Sequence, residues 1–182
     1  MHNRKPLVFL ALCAILLPGL LAAADEMKKI PDYSLKPRAE VPVEHTWKIE
    51  DLYASEADWR AEKERVAADI ARIDEAAKGW TASPAAMLSL LDLVSAIQMK
   101  GARLMAYASH QADTDMGNTR LQAMVGEVRT GFVQLNAKLA FMQPDILALG
   151  AERFAAYRKA EPKLDVYRFA VEGILREKDH VP

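Results

Sequence analysis

The side chains best suited to metal or acid–base chemistry in this sequence are its histidines and one acidic cluster. His45, His110 and His180 lie 65 and 70 residues apart. A hydrolytic zinc centre of the H-E-x-x-H type needs two histidines one helical turn apart, a third ligand and a glutamate base. No two of these histidines share a helix face, so the sequence offers no such centre. The densest polar run is SHQADTDMGN, Ser109 to Asn118. Asp113 and Asp115 are spaced like the first two ligands of a calcium loop, but the fifth position is Gly117 and the twelfth is Met124 where glutamate is required. The simpler expectation is that Asp113, Thr114 or Asp115 caps the following helix. His110 then sits near a helix C-terminus, where the dipole favours it. There is no G-x-S-x-G elbow, no glycine-rich phosphate loop and no C-x-x-C. The residues themselves therefore assign no catalytic, cofactor-binding or metal-ligating position.

The elements that carry these residues are helices. Ser55 and Asp58 make a capping-box-like S-x-x-D, with Leu52 and Tyr53 ahead of it as staple residues. Trp59, Val66, Ile70, Ile73 and Ala77 follow on one face, with Lys63 the one polar residue in the seam, and Gly79 ends that helix. Ser83-Pro84 opens a second helix, with Met87, Leu90, Val94, Ile97, Gly101, Leu104 and Ala108 as its seam. A third is expected from about Met116 to Met142, with Leu121, Val125, Val128, Phe132, Leu135, Leu139 and Met142 in the same alternation of threes and fours. That rhythm belongs to helices packed nearly parallel or antiparallel. Gly117, Gly126 and Gly131 cost the third helix up to about 1 kcal/mol each relative to alanine, so a close crossing or a bend is expected there. Short helices follow at Asp145–Leu149, closed by Gly150, and at Glu152–Lys159. Pro162 opens the last segment, in which Tyr167 to His180 reads as a helix. Trp47, Tyr53, Trp59 and Trp80 are expected to cluster and to pin the preceding chain to the first helix. No segment alternates with period two long enough for a strand. The fold class is all-α, an antiparallel helical bundle with long helices and an extended N-terminal leader.

Composition sets the outer bounds. Arg4 and Lys5 precede an apolar run from Leu7 to Leu17, a break at Pro18-Gly19 and the small residues Ala22-Ala23-Ala24. Residues 1–24 therefore read as a signal peptide, too short in the apolar part to act as a stable membrane anchor. Cys13, preceded by the bulky Leu12, is a poor lipoprotein site and is the only cysteine. The remaining 158 residues carry a net charge of −3 and can bury a real core without disulfides. With no basic stripe there is no electrostatic footprint for nucleic acid. Residues 25–46, with Pro31, Pro37 and Pro42, read as a polar leader, and residues 47–182 as the helical region.

Four stretches in order resemble the oligoendopeptidase F family. They are HTWKIEDLYASEADW from His45, LMAYASHQADTDMGNTRLQAM from Leu104, PDILAL from Pro144 and LDVYRFAVEGILREKDH from Leu164. Lys48 departs from the acidic residue usual after that tryptophan. The family comprises zinc metalloendopeptidases of the thimet oligopeptidase type, which cleave short peptides inside a closed channel. The resemblance implies that residues 47–182 are the N-terminal lobe, which roofs the channel. It places the zinc ligands and the catalytic glutamate in a C-terminal domain that this sequence lacks. The chain is then expected to be exported to the periplasm or medium, to bind no cofactor itself and to be silent alone. Its partners would be the missing catalytic domain and, in the intact zinc enzyme, oligopeptide substrate. The alternatives are a stand-alone exported helical binding or scaffold protein, and a subunit that complements a separate catalytic chain.

Overall fold

The computed structural model describes residues 31–177. The expected signal peptide, the first part of the leader and His180 lie outside the described residues. The chain divides into two units, residues 1–46 and 47–182.

In the first unit, residues 31–46 are not a plain extended spacer. Pro37 and Pro42 each accept a bond from the residue three ahead, Glu40 N–H at 2.9 Å and His45 N–H at 2.9 Å. Those bonds make short 3-10 turns at Arg38–Glu40 and Val43–His45. The fixed φ of proline suits the start of such a turn. The His45 ring lies 5.2 Å from that of Tyr33.

The second unit is all-helical, with no strand among the described residues. Helix α1 spans Glu56–Ala71. The Ser55 hydroxyl caps it by accepting from Asp58 N–H at 3.2 Å. The seam does not continue as one helix to Ala77. Arg72 N–H bonds to Asp69, three residues back, at 3.1 Å, and the chain restarts as the short α2, Ile73–Ala76. That tightened turn coincides with the complete burial of Ile73. Gly79, at φ 67°, then reverses the chain in the left-handed conformation that favours glycine.

Helix α3 spans Pro84–Thr114. At 31 residues it is about 46 Å long on a rise of ~1.5 Å per residue. Its cap is the Ser83 hydroxyl, which accepts from Ala86 N–H at 3.1 Å, with Pro84 in the first turn. The next cap is not Asp113, Thr114 or Asp115. Asp113 and Thr114 still belong to α3, where Thr114 Oγ1 bonds back to the Gln111 carbonyl at 2.7 Å. Asp115 closes α3, and Asn118 caps α4, accepting from Arg120 and Leu121 N–H at 3.2 and 3.3 Å. An asparagine amide reaches the first-turn donors as well as an aspartate does. Helix α4 spans Thr119–Lys138, four residues short of Met142. A turn through Leu139–Phe141 leads instead to α5, Met142–Leu149. Gly150, at φ 78°, starts α6, Ala151–Ala160. The 3-10 turn Pro162–Tyr167 feeds α7, Arg168–Arg176, so the last helix begins later than its apolar pattern implies.

Long α3 is the spine of two buried clusters. From Ile97 onward it packs Ile97, Leu104 and Tyr107 against Trp59 and Ile70 of α1 and Met124 and Val128 of α4. Its N-terminal half packs Met87, Leu90 and Val94 with Trp80, Ile146, Phe154, Leu164 and Val171. Leu139 and Phe141, in the turn that cuts α4 short, touch both clusters. By length and composition α3 could cross a bilayer. Here its apolar stripe is covered by the neighbouring helices, as in the core helix of a globular fold.

Two directions are fixed by side-chain pairs. Helix α1 runs antiparallel to α3, since Trp59 Nε1 donates to the Leu104 carbonyl at 2.9 Å and Lys100 reaches Asp69 at 3.2 Å. Helices α1 and α4 run parallel. Glu56 and Lys63 of α1 pair with Arg120 and Glu127, and Asp74 of the following α2 pairs with Lys138, each separated by 64 residues.

Candidate functional site

A groove of about 370 Å³ that could receive a ligand lies between α1 and α4, floored by α3. Val66, Ala67 and Ile70 form one wall, and Val128, Gly131, Phe132 and Leu135 the other. Ile97, Gly101 and Leu104 lie beneath. Its size is at the low end for small-molecule sites, and its lining is mostly apolar, as in such sites, with Lys63, Glu64, Glu127, Thr130 and Gln134 supplying the polar part.

The glycines have two different jobs here. A Cβ on Gly101 would stand 2.9 Å from Phe132 Cζ, so α3 approaches the Phe132 ring closely at that point. Gly126 and Gly131 are not crossing points, because nothing lies within 4 Å of a Cβ at either. Gly131 instead leaves the groove open. Gly131→Ala should therefore stabilise the fold by up to about 1 kcal/mol through helix propensity alone. Gly101→Ala should gain less or lose stability, because Phe132 must move. Chemical denaturation of the two variants compares them directly, and equal gains would contradict the close approach.

At one end of the groove Lys63 Nζ meets a Glu127 carboxylate oxygen at 2.5 Å, with Arg60 a further 3.6 Å contact to the same carboxylate. The bond from Lys63 holds the Glu127 carboxyl below its ordinary value, and the same bond holds the Lys63 ammonium above its own. Glu127's contribution is present above the unfolded carboxyl value and lost as pH falls through the lowered folded value. Lys63's contribution is present below the ordinary lysine value and lost as pH rises through the raised one. The Lys63 side chain is about a quarter exposed and that of Glu127 about a third, so solvent discounts the pair. Glu127→Gln should cost about 0.5–1 kcal/mol at neutral pH. The cost should fade once pH drops below the carboxylate range. Urea midpoints across pH test this, and a cost that does not change with pH would refute it.

The sequence-level candidates do not converge. His110 lies within α3, where its ring stacks on the exposed Trp47 at 5.4 Å and 5°. His45 belongs to the other unit, and Asp113 and Asp115 sit at the exposed end of α3. Among the described residues no three His, Cys, Asp or Glu side chains come together in a way that could hold a metal ion. The expected aromatic cluster is also dispersed. Tyr53 and Trp59 meet through Tyr107, at 5.5 and 6.5 Å. Trp80 lies in the other core cluster, 5.9 Å from Phe141. The groove was not anticipated from sequence. Its only forewarnings are Lys63, alone in an apolar seam, and a glycine at 131 inside a helix. The arrangement can bind an apolar group and orient it beside a charged pair, but it holds no nucleophile poised by a base.

No family model matches the chain. It is 28% identical over 164 residues to oligopeptidase PepF of Bacillus subtilis (strain 168), covering 88% of this chain and 24% of that protein. It is 24% identical over 147 residues to the plasmid oligoendopeptidase F of Lactococcus lactis subsp. cremoris, covering 80% of this chain and 24% of that protein. Among solved structures, oligoendopeptidase-F from Enterococcus faecium superposes with a TM-score of 0.63 at 23% identity, over 70% of this chain and 25% of that one. A protein from Chlamydophila abortus solved as a candidate peptidase gives 0.67 at 24% identity, over 80% and 25%. The chain thus spans about a quarter of the length of the curated relatives it matches. In sequence, this chain is a homologue of the N-terminal part of the oligoendopeptidase F proteins.

Proposed function

We propose that residues 47–182 are the channel-covering lobe of an exported oligoendopeptidase F-like zinc metallopeptidase that hydrolyses oligopeptides. The match over 88% of this chain to about a quarter of a named oligopeptidase carries that reading. The lobe supplies no catalytic group. In this reading the metal, the water it activates and the general base come from polypeptide other than these residues. What the lobe does contribute is shape. A 31-residue spine shared by two cores makes a stiff cover, and such a cover restricts access to short, unfolded peptides. Export rests on the signal-peptide pattern of residues 1–24.

The test is a chimera in which residues 47–182 replace the matching segment of the Bacillus subtilis protein. It should hydrolyse a short quenched-fluorescence peptide and spare a folded protein. The present chain alone should be silent. Chelator-sensitive cleavage by the chain alone, or a soluble chimera without activity, would sink the proposal. The open groove favours a second reading, an exported binding or scaffold protein derived from the lobe. That reading calls for a monodisperse chain that takes up an apolar ligand in the groove without any partner.

A further inference from the structure

The last described elements carry an apolar strip that the fold itself leaves unused. The 3-10 turn at Pro162–Tyr167 and helix α7 are anchored inward by Leu164 and Val171, both buried in the second cluster. The Tyr167 hydroxyl adds a hydrogen bond, donating to Asp92 Oδ1 of α3 at 2.5 Å. On the outer side Val166 is 83% and Phe169 82% exposed, with Ala170 exposed beside them. Val166 and Phe169 are only three residues apart in the chain. Such pairing marks a patch rather than the scattered exposure normal for a surface.

The edges of the strip are basic. The Arg176 guanidinium lies 6.0 Å from the Phe169 ring centroid and 3.8 Å from where a Cβ on Gly173 would stand. The acids nearby are already engaged, since Arg158 donates to Asp165 at 2.9 Å and to Glu172 at 3.0 Å. Arg168 forms no ion pair among the described residues. An apolar centre with arginines at the rim is the composition of a protein–protein contact.

The relatives say what could cover it. In them the region matched here is about a quarter of the polypeptide, so some three quarters lies outside it. We propose that this strip docks the remaining polypeptide of an oligoendopeptidase F-type protein. Phe169 enters an apolar pocket there, and Arg168 and Arg176 meet an acidic rim. The inference rests on the lobe reading above, and it is read out separately from activity.

The experiment places single cysteines at the strip, Val166→Cys and Phe169→Cys, and at the exposed Val133 of α4 as a control. Maleimide labelling at each site is then compared, residue by residue, between the present 182-residue chain and the chimera. Labelling at 166 and 169 should slow by about tenfold or more in the chimera, as expected for groups that react only on local opening. Labelling at 133 should be unchanged. Equal labelling of Phe169→Cys in both proteins overturns the inference, as does equal slowing at all three positions. A chimera that forms no soluble protein overturns it too, since a fitting face should accept its partner. Slow labelling without peptide hydrolysis would instead defeat only the peptidase reading. Hydrolysis with free labelling at 169 would defeat only the docking face.

Discussion

Replacing Trp59 with alanine is expected to remove about 3–5 kcal/mol of stability, a large part of the ~5–15 kcal/mol that holds an ordinary domain together. Trp59 has no exposed surface and sits where α1, α3 and α4 meet. Its ring lies 6.5 Å from that of Tyr107, and the cations of Arg60 and Lys63 stand 5.6 and 6.0 Å from its centroid. Its Nε1 is the donor that locks α1 to the Leu104 carbonyl. Truncation therefore leaves a cavity and also breaks the one buried polar link between the two helices. Trp59→Phe separates these effects, because it keeps most of the volume and loses only the donor. Urea denaturation should show a much lower midpoint for alanine, with phenylalanine in between and the slope unchanged. A loss below about 1 kcal/mol for the alanine variant would mean that the site collapses to fill itself.

Trp80→Ala should be comparably severe, again about 3–5 kcal/mol, but through the other cluster. Trp80 is 2% exposed, follows the Gly79 reversal and meets Phe141 edge-on at 5.9 Å. Its Nε1 donates to Asp145 Oδ2 at 2.7 Å, which ties the chain before α3 to the start of α5. Removing the ring deprives a partly buried carboxylate of its donor, so Trp80→Ala should cost more than Asp145→Asn. Because α3 belongs to both clusters, neither Trp59→Ala nor Trp80→Ala should split unfolding into two steps. Each should lower Tm by roughly 10 °C in one cooperative transition. Two resolved transitions in calorimetry of either variant would show that the clusters unfold independently.

The legible parts of this fold were those written in local chemistry. Ser55 and Ser83-Pro84 start helices because a hydroxyl can accept from first-turn amides, and Gly79 and Gly150 adopt positive φ, so both can be read from neighbouring residues. The resemblance to oligoendopeptidase F was also legible, through four stretches in order. The illegible parts depend on which helices become neighbours. Asp113, Thr114, Asp115 and Asn118 can all cap, and only the length of α3 decides among them. Grouping Trp47, Tyr53, Trp59 and Trp80 follows their order in the chain, whereas the reversal at Gly79 sends Trp80 to a different core. Gly126 and Gly131 look like contact points in a seam, and only the placement of α1 beside α4 makes Gly131 part of an opening.

The constant separation of 64 residues between the α1–α2 stretch and α4 has a further consequence. As sources of energy the three ion pairs are slight, since surface pairs contribute about 0–1 kcal/mol each. As addresses they are strict. Sliding α4 by one turn, whether three residues or four and in either direction, would set Glu56 opposite Ala123, Met124, Met116 or Gly117. The same slides set Lys63 opposite Thr130, Gly131, Ala123 or Met124, and Asp74 opposite Phe141, Met142, Gln134 or Leu135. None of these offers an opposite charge, so every one-turn slip loses all three pairs together. The apolar seams, repeating in threes and fours, would tolerate such a slip far more readily. Greasy contact holds these two helices side by side, and the sparse charges choose which residue faces which.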